Sequence, residues 1–412
     1  MDTLVQRCAG LDVHKASIVA CIRLAGPNGS VRKEVRTFTT MTADLEALAG
    51  WMAEKGVTHV AMESTGVYWK PVFNILEGRF QVWLVNARHI KQVPGRKTDV
   101  KDCEWIAQLL QYGLLRPSYI PELVIRQLRD LTRQRSQLVA EQTRVANRIQ
   151  KVLEDANIKL AAVASDVLGV SGRAILEALI AGEATAEMMA RLARGRLKAK
   201  IPQLEQALCG HVTDHHHFLL RLYLDQLQGT DDLIARLGQR IEELMAPFQG
   251  ALQRLMTIPG VDRRTAQSLI AELGHDLTAF PDADHLSSWA GMCPGNHQTA
   301  GKNQSGRTAK GNRWLRQTLT QSAWAASHTK NTYLAAQFHR LAARRGKKRA
   351  LVATGHTLLV IVYHVIKHGM VYQELGGDYL ERLNPQRMTR YHVKRLERLG
   401  HKVTLEPQPD AA

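Results

Sequence analysis

The chain has 412 residues and carries 55 Lys or Arg against 38 Asp or Glu, a formal net charge of +17. A surplus of that size indicates a polyanionic partner, either nucleic acid or an anionic membrane surface. The longest apolar run, Thr357 to Tyr363, is far shorter than the roughly 20 residues that a membrane-spanning helix needs, and no signal segment opens the sequence. The five cysteines form no Cys-x-x-Cys pair, which favours reduced thiols in a cytoplasm. Composition therefore favours a cytoplasmic nucleic-acid-binding protein of two or three domains and no membrane.

Residues 1–120 combine strand and helix patterns. Strands are predicted over 16–24, 35–40, 57–62 and 81–85, with an earlier strand pattern that ends near Asp12. Helices are predicted from a cap at Thr42, from about Tyr68, and around Asp102, where Ile106, Leu109 and Leu110 form the apolar stripe. Several strands followed by alternating strands and helices predict a mixed sheet in an α/β domain.

Four acids of this region stand where they can converge. Asp12 and Glu63 lie near strand ends, and Asp99 and Asp102 are three residues apart on one helical face. Basic residues surround the helix start, namely Arg96, Lys97 and Lys101. Carboxylates beside cations suit a hard divalent ion that also holds a phosphate. The alternatives are an Asp that only caps a helix, or four unrelated surface acids.

Three short motifs resemble a known family. Gly-Leu-Asp-Val-His-Lys (10–15), Met-Glu-Ser-Thr-Gly (62–66) and Lys-Thr-Asp-Val-Lys-Asp (97–102) resemble the Asp-Glu-Asp-Asp signature of the transposases of the insertion-sequence family numbered one hundred and ten. Members are described as bridge-RNA-guided recombinases with an N-terminal RuvC-like ribonuclease H fold. The resemblance implies that Asp12, Glu63, Asp99 and Asp102 bind Mg2+, with Mn2+ as an alternative ion.

The middle of the chain, 121–250, is predicted to be helical. Positions 124, 128, 131, 135, 138, 142, 145, 149 and 152 form a heptad seam in which only Arg135 and Gln142 are not apolar. A second seam from Leu220 to Phe248 is expected to pack back on the first. The outer face is basic, and it is either solvated or faces nucleic acid (Arg126, Arg129, Arg133, Arg144, Arg148 and Lys151). The resemblance implies a coiled-coil insertion and a homo-oligomer, a dimer or a tetramer.

Histidines 211 and 215–217 fall in the same region. His211 and His215 share a helical face, but only Asp214 adds another ligand type and no cysteine pair completes a closed metal site. A solvated or packed cluster is the favoured interpretation, and metal binding is the alternative.

The C-terminal region, 251–412, opens with a helix-hairpin-helix pattern over 255–274. The turn at Pro259-Gly260 can present backbone N–H groups to a phosphate, with Arg263 and Arg264 beside it. Such hairpins contact nucleic acid without reading sequence, although a purely structural hairpin is the alternative.

No Asp or Glu lies between Asp284 and Glu374, while thirteen Lys or Arg do. Charge that is so one-sided suits a surface held against phosphates. The cations expected to contact nucleic acid here are Lys302, Arg307, Lys310, Arg313 and Arg316, and a further cluster spans Arg344 to Arg349. The interleaved Trp289, Trp314 and Trp324 are expected in the core rather than as base-stacking platforms.

A polar, Gly-rich loop, 291–312, carries the candidate nucleophiles. It resembles the second transposase domain of the same family, which supplies a catalytic serine five residues after the loop proline. That position here is Thr299, a more crowded secondary alcohol, and Ser305 is the nearest serine. Position favours Thr299 and chemistry favours Ser305, while a third possibility is that both only bind phosphate.

The sequence thus predicts an α/β plus α protein: a RuvC-like domain over 1–120, a coiled-coil domain over 121–250 and a mainly helical transposase domain over 251–412. The predicted function is a bacterial DNA transposase or recombinase that acts on donor and target DNA through a covalent hydroxyl–DNA intermediate, guided by a bridge RNA and associated with the nucleoid when acting. In relatives, one subunit's ribonuclease H-like domain meets another's C-terminal domain. The alternatives are a Mg2+-dependent structure-selective nuclease, resembling a Holliday-junction resolvase, and a non-catalytic nucleic-acid-binding protein.

Overall fold

The structure is a computed structural model that describes residues 3–26, 30–64, 66–86, 102–294, 297–299, 302–306, 308–383 and 385–406, with only the backbone of 297–299 and 302–305. The chain divides into two compact units, Met1–Pro121 and Glu122–Ala412. The three-part division expected from the sequence stays a prediction.

The first unit is built on a five-stranded mixed sheet. Its strands are β1 (Arg7–Val13), β2 (Ser17–Ala25), β3 (Val31–Thr39), β4 (His59–Glu63) and β5 (Gln81–Val85), in the order β3-β2-β1-β4-β5. The β1–β2 and β2–β3 pairs are antiparallel, whereas β4 is parallel to both β1 and β5. The predicted mixed sheet is confirmed.

Three helices complete this unit: α1 (Thr42–Glu54), α2 (Trp69–Leu76) and α3 (Asp102–Gln111). Alternate residues of a strand face opposite sides of a sheet. On β1, Ala9 and Leu11 pack in one core with α1 and α2, while Cys8 packs on the other face with Ile106 and Leu110 of α3. The sheet therefore lies between α1 with α2 on one face and α3 on the other.

The predicted cap of α1 at Thr42 is wrong. The helix begins at Thr42 itself, and Met41 is the capping position with no side-chain hydrogen bond. Asp44 in the first turn instead accepts hydrogen bonds from the backbone N–H and hydroxyl of Thr39. The hydrogen bond from the Thr39 hydroxyl has the larger effect and that from the Thr39 backbone N–H the smaller, and together they hold the pKa of Asp44 below its usual range.

Two long helices dominate the start of the second unit, α4 (Leu123–Asp155) and α9 (Asp214–Met245). They run antiparallel, because Gln142 of α4 donates to Asp231 of α9 and Asp155 of α4 contacts His216 of α9. The expectation that the second seam packs back on the first is therefore confirmed.

The seam of α4 departs from the predicted one in its first half. The buried positions are Ile125 and Thr132 rather than Val124 and Leu131. Leu128 and the apolar positions from Leu138 onward are buried as expected, while Gln142 is half-buried. The first part of α4 packs on α11 (Arg263–Leu273) as well as on α9, and this second neighbour moves the buried stripe by one residue. Buried Arg135 then donates to the side-chain oxygen of Gln267 at 2.7 Å.

Short helices fill the segment between α4 and α9: α5 (Leu160–Val163), α6 (Val170–Ala181), α7 (Ala186–Ala190) and α8 (Ile201–Leu208), with a 3-10 turn at Gly195–Lys200. They form an apolar cluster with the end of α4. His216 is buried, pairs with Thr213 in a capping box at the start of α9, and contacts Asp155 at 3.0 Å. The packed interpretation of this histidine is the one the structure supports.

The rest of the second unit is helical apart from one hairpin. A 3-10 turn (Ala246–Phe248) leads to α10 (Gln249–Leu255), α11 and α12 (Ala283–Ala290), then to β6 (His297–Thr299) and β7 (Lys302–Ser305). The remaining helices are α13 (Arg313–Ser327), α14 (Tyr333–Arg345), α15 (Lys347–His368), α16 (Tyr379–Arg382) and α17 (Pro385–Arg398). Among the described residues, α15 alone is long and apolar enough to span a membrane by length and composition, but half of its apolar window is buried. It packs against α13 and α14, as a core helix does.

Candidate functional site

Two of the candidate acids lie side by side at one edge of the sheet. In the parallel pair of β1 and β4, Leu11 is opposite Met62, so Asp12 and Glu63 are the next residues along each strand. The carboxyl ends of parallel strands meet at one sheet edge, as the sequence suggested. Asp12 is on the central strand, and Glu63 is the last residue of its neighbour.

The third described acid, Asp102, is the first residue of α3. Asp12 is two residues from Gly10 and Glu63 is two residues from Ala61, and both Gly10 and Ala61 face α3. Because side chains alternate along a strand, Asp12 and Glu63 are therefore on the face of the sheet that α3 covers. The three acids share one face and one end of the sheet.

Gly10 lets α3 approach this closely. A Cβ at Gly10 would lie 2.3 Å from the backbone nitrogen of Ala107 and 2.3 Å from the carbonyl oxygen of Cys103. Both atoms belong to helix backbone, which cannot move aside as a side chain can. The glycine in the first motif thus fixes how close the helix that starts at Asp102 lies to the strand that carries Asp12.

The donor set suits a hard cation. Carboxylate oxygens are the ligands that Mg2+ prefers, and the Asp12 side chain is 27% exposed, with Oδ2 at 3.1 Å from Nε2 of His14. Among the described residues, no group of three or more His, Cys, Asp or Glu is gathered closely enough to hold an ion. Asp99 lies outside the described residues, as do Arg96, Lys97 and Lys101, so their assignments stay predictions.

In the second unit, the turn between α10 and α11 packs on another helix. Gly260 has φ +81°, and a Cβ there would lie 2.4 Å from the carbonyl oxygen of Ser322 on α13. Asp262 caps α11 by accepting a hydrogen bond from the Thr265 backbone N–H at 2.8 Å. The pKa of Asp262 lies below its usual range. Partial burial is the largest single influence and acts to raise this pKa, but the hydrogen bonds from Thr265 and the nearby charge of Arg264 together outweigh it.

The two arginines beside this turn differ. Arg263 makes a two-pronged ion pair with the Glu242 carboxylate of α9 and also donates to Gln249 at 3.3 Å. The Arg263 hydrogen bond lowers the pKa of Glu242, although partial burial opposes it. The side chain of Arg264 is exposed. Arg264 is therefore the more available of the two for a phosphate.

A buried carboxylate, Glu272, joins three parts of the second unit. It is 2% exposed and accepts two hydrogen bonds from Arg133, at 2.7 and 2.8 Å, and one from Asn312 at 2.6 Å. Arg129 donates to the backbone carbonyls of Ala271 and Glu272. The expectation that Arg129 and Arg133 lie on an outer basic face is therefore wrong. Arg133 pairs with the buried carboxylate of Glu272, and Arg129 donates to carbonyl groups at the end of α11.

The ends of the Gly-rich loop meet. A Cβ at Gly311 would lie 2.2 Å from the carbonyl carbon of Ala290, and one at Gly291 would lie 2.6 Å from the backbone nitrogen of Gly311. Asn312 then caps α13 by accepting from the backbone N–H groups of Trp314 and Leu315. The two ends of the loop are thus in contact where the loop joins α12 and α13. Asn312 anchors this junction by donating a hydrogen bond to the Glu272 carboxylate.

The hairpin β6–β7 carries both candidate nucleophiles, one beside the turn and the other at the open end of the ladder. Thr299 is opposite Lys302, next to the turn, while Ser305 is opposite His297 at the other end of the ladder. Only the backbone is described here, so the choice between Thr299 and Ser305 stays open. The side chain of Lys302 and the whole of Arg307 also lie outside the described residues.

The basic residues after the hairpin are partly engaged. Arg316 donates to Thr308 at 3.0 Å and to the carbonyl of Ala309 at 3.3 Å, which ties the loop to α13. Arg313 lies over the Trp314 ring at 4.8 Å, and both Arg313 and Lys310 are exposed. Lys310 and Arg313 are therefore available to a phosphate, whereas Arg316 also has a structural role.

The expectation for the tryptophans is correct in part. Trp289 and Trp314 are half-buried, whereas Trp324 is 47% exposed, with its ring 4.5 Å from that of His328. The exposed face of α13 therefore carries an aromatic ring that the helical spacing had assigned to the core.

Sequence reasoning missed several residues that shape these sites. A glycine inside a strand pattern signals a close backbone approach, and this signal could have identified Gly10. No local signal marks Glu272, because its partners Arg133 and Asn312 are 139 and 40 residues away.

Comparison with known proteins finds matches over both units. A family model of the Asp-Glu-Asp-Asp type of IS110 transposase, described as "Transposase", matches residues 9–158. A second model, described as "Transposase IS116/IS110/IS902 family", matches residues 252–340. The first range contains all four candidate acids, and the second contains Thr299 and Ser305.

Similar curated proteins include two pilin gene-inverting proteins. That of Moraxella bovis is 31% identical over 151 residues, 35% of this chain and 46% of the relative, and that of Moraxella lacunata is 31% identical over 168 residues, 40% and 50%. The chain thus spans about half the length of these two relatives. An insertion element IS110 uncharacterized 43.6 kDa protein of Streptomyces coelicolor is 26% identical over 314 residues, 68% of this chain and 73% of the relative.

The two matched ranges together cover more than half of the chain and occur in the order expected from the motifs. With three acids of the first range, Asp12, Glu63 and Asp102, at a single sheet edge and the Gly-rich loop in the second range, we conclude that this chain belongs to the IS110 family of transposases.

Proposed function

We propose that the protein is a DNA transposase or recombinase that cuts and rejoins DNA through a covalent hydroxyl–DNA intermediate. The observation that carries the proposal is the shared face and end of the sheet on which Asp12, Glu63 and Asp102 lie. Carboxylate oxygens are the ligands that Mg2+ prefers, and the strand pairing and α3 bring these acids to one end of the sheet.

The fold of the first unit supports this proposal. Three antiparallel strands followed by two strands parallel to the first, with helices on both faces, fit the proposed RuvC-like ribonuclease H fold. Asp12, Glu63, Asp99 and Asp102 would hold Mg2+, or Mn2+ in its place. The ion, when bound, stabilises the negative charge that develops on the phosphate oxygens.

The reaction proposed for the loop is a transesterification. The hydroxyl oxygen of Thr299 or Ser305 bonds to the phosphorus of a DNA phosphodiester, and the bond from phosphorus to the neighbouring nucleotide's oxygen breaks. The proton lost by the protein hydroxyl ends on the departing DNA hydroxyl. A second DNA hydroxyl then reverses the chemistry on the adduct, which rejoins the strands without loss of bond energy.

The proposed partners are donor DNA, target DNA, a bridge RNA and further copies of this chain. The charge of +17 supports the nucleic-acid partners, and the groove beside Gly260, lined by Thr257, Thr265 and Gln321, offers a place for a phosphate backbone. Apolar side chains left exposed on α9, Phe218, Leu222 and Leu233, support oligomerisation. We propose that the protein acts in the bacterial cytoplasm at the nucleoid.

A covalent-trapping assay tests the reaction. The full-length protein, with any RNA that copurifies, is mixed with labelled element-end and target DNA and Mg2+, and adducts are separated on denaturing gels. The parent is compared with Thr299→Ala, Ser305→Ala and Asp12→Asn. Glu54→Gln is the matched carboxylate control, because Glu54 is an exposed acid of α1 in the same unit.

We expect an adduct with the parent and with Glu54→Gln, and none with Asp12→Asn. Loss of the adduct in one hydroxyl variant identifies the nucleophile. DNA cleavage without any adduct would instead support the hydrolytic nuclease and refute the covalent mechanism. Unchanged chemistry in Asp12→Asn would refute the assignment of the acids.

A further inference from the structure

The junction of α14 and α15 carries a dense group of cations. Gly346, with φ +82°, makes the turn between the two helices, and five Lys or Arg surround it (Arg344, Arg345, Lys347, Lys348 and Arg349). All five side chains are exposed. Within the part of the chain that the structure describes, none of them forms an ion pair with a carboxylate, in contrast to Arg133 and Arg263.

Three of these cations line a cavity of about 780 Å3, here called the α14–α15 pocket. Arg345, Lys348 and Arg349 are at its rim, and no Asp or Glu is among its lining residues. The neighbouring Arg344 and Lys347 belong to the same cluster but do not line it. These three cations make one side of the pocket positive, and no carboxylate among the lining residues neutralises them.

The walls of the pocket are apolar. Leu341, Val352 and Ala353 line it from the helices, and Met292 lines it from the Gly-rich loop. The methyl carbon of Met292 lies close to Gly355, since a Cβ built on that glycine would be 3.0 Å from it. The volume is in the range of about 300–1,000 Å3 that small-molecule ligands occupy in proteins.

Several polar side chains of the lining suit the ring of a ligand. His356 lines the pocket with an imidazole, and the guanidinium of Arg345 or Arg349 can stack on a base as an aromatic ring does. Gln337 donates to Thr357 at 2.9 Å, while its buried amide oxygen has no hydrogen-bond partner among the described residues. An apolar wall with an unsatisfied acceptor and a cationic rim matches a base with its phosphate.

The location links the pocket to the proposed chemistry. Gly306 and Thr308 line it, and Gly306 directly follows Ser305. A strand whose nucleotide entered the pocket would be held at the base of the β6–β7 hairpin.

We propose that the α14–α15 pocket binds one unpaired nucleotide of a nucleic-acid strand, with the base against the apolar wall and the phosphate at Arg345, Lys348 and Arg349. This inference rests on the proposed function for its biological role, but the binding itself does not require any chemistry. The shared ligand is a nucleotide in a single strand, from either DNA or RNA.

The test measures binding of the full-length protein to single-stranded oligomers by fluorescence anisotropy, in EDTA and at one fixed salt concentration. Three oligomers of equal length are compared: deoxythymidine, uridine and an abasic deoxyribose-phosphate strand. The pocket variant is Arg345→Gln with Arg349→Gln. The matched control is Arg344→Gln with Lys347→Gln, which removes the same charge outside the pocket.

We expect the pocket variant to weaken binding of the base-bearing oligomers by about tenfold or more, and the control by less than about threefold, because a stacked base adds to the phosphate contacts. A third variant, Ala353→Phe, fills the pocket without changing charge. It is expected to reduce binding of the base-bearing oligomers to the abasic level and to leave abasic binding unchanged. Tighter binding of the deoxythymidine or the uridine strand identifies DNA or RNA as the source.

Equal losses in the two double variants would overturn the proposal, since they would indicate a diffuse charged surface. Parent-like binding of the base-bearing strands by a folded Ala353→Phe protein would also overturn it. If that variant does not fold, the two double variants decide alone. Because the assay contains no metal, nucleotide binding without any covalent adduct in the trapping assay would refute the proposed function and leave the pocket standing.

Discussion

Replacing Gly10 with alanine tests whether the contact of α3 with β1 positions the acids. The added Cβ would be 2.3 Å from two backbone atoms of α3, whereas ordinary contact begins at about 3.4 Å. The helix must therefore move away by about 1 Å, and Asp102 at its start moves with it. Overpacking of this kind costs about 1–3 kcal/mol of stability.

A displacement of that size has a larger effect on chemistry than on folding. A misplacement of about 1 Å in a reacting group can reduce a rate by about a hundredfold. We therefore expect Gly10→Ala to remain folded, with a lower urea midpoint, and to form the covalent adduct about a hundredfold more slowly. Circular dichroism in urea and the trapping assay measure the two effects.

Gly50→Ala is the matched control. Gly50 is an exposed residue inside α1, and a Cβ there meets nothing within 4 Å. Alanine should raise stability at this position by about 0.5–1 kcal/mol, because glycine is the poorer helix former, and adduct formation should not change. Parent-like stability and adduct formation in Gly10→Ala would refute the reasoning that the glycine sets the position of α3.

Three further outcomes follow from the structure. Glu272→Ala should destabilise the second unit by about 3–5 kcal/mol in urea unfolding, because it removes the buried carboxylate that pairs with the partly buried Arg129 and Arg133 and leaves both cations uncompensated, and a loss below about 1 kcal/mol would contradict this. The ion pair with Arg263 lowers the pKa of Glu242 in the folded protein, so its stabilisation is present at neutral pH and is lost as the pH falls through the acid range; Glu242→Gln should make melting temperature less dependent on pH there. Burial raises the pKa of the Cys21 thiol to about 12, so iodoacetamide at mildly alkaline pH should modify exposed Cys209 and leave Cys21 unmodified until the protein unfolds, as peptide mass spectrometry can show.

The acids of the first unit were the part of the site most accessible from sequence. Strand patterns have a period of two and end at turn residues, so the positions of Asp12 and Glu63 at strand ends could be deduced locally. The alternation of strands and helices predicted a mixed sheet, and the structure decided that β1 and β4 pair in parallel, which makes the two acids neighbours. The structure added the shared face, which depends on α3 covering the side to which Gly10 and Ala61 belong.

The basic residues show the limit of the same reasoning. Local sequence predicts that Arg133, Arg263 and Arg316 are cationic and near a helix surface, and it says nothing of their partners. Arg133 pairs with Glu272, which is 139 residues away in the chain, and Arg263 pairs with Glu242. Arg316 donates to the Thr308 hydroxyl and to the Ala309 carbonyl. Whether an arginine binds a phosphate or a protein carboxylate is therefore decided by tertiary packing.

By itself, the sequence determined the charge, the strand and helix periods, the paired seams and the motifs that identify the family, because each is a local or compositional property. The tertiary structure decided which cations are neutralised and where the loop ends meet. It also brought the cluster at Gly346 beside the loop residue Met292 to form a pocket. These features depend on residues far apart in the chain that come together only when the helices pack.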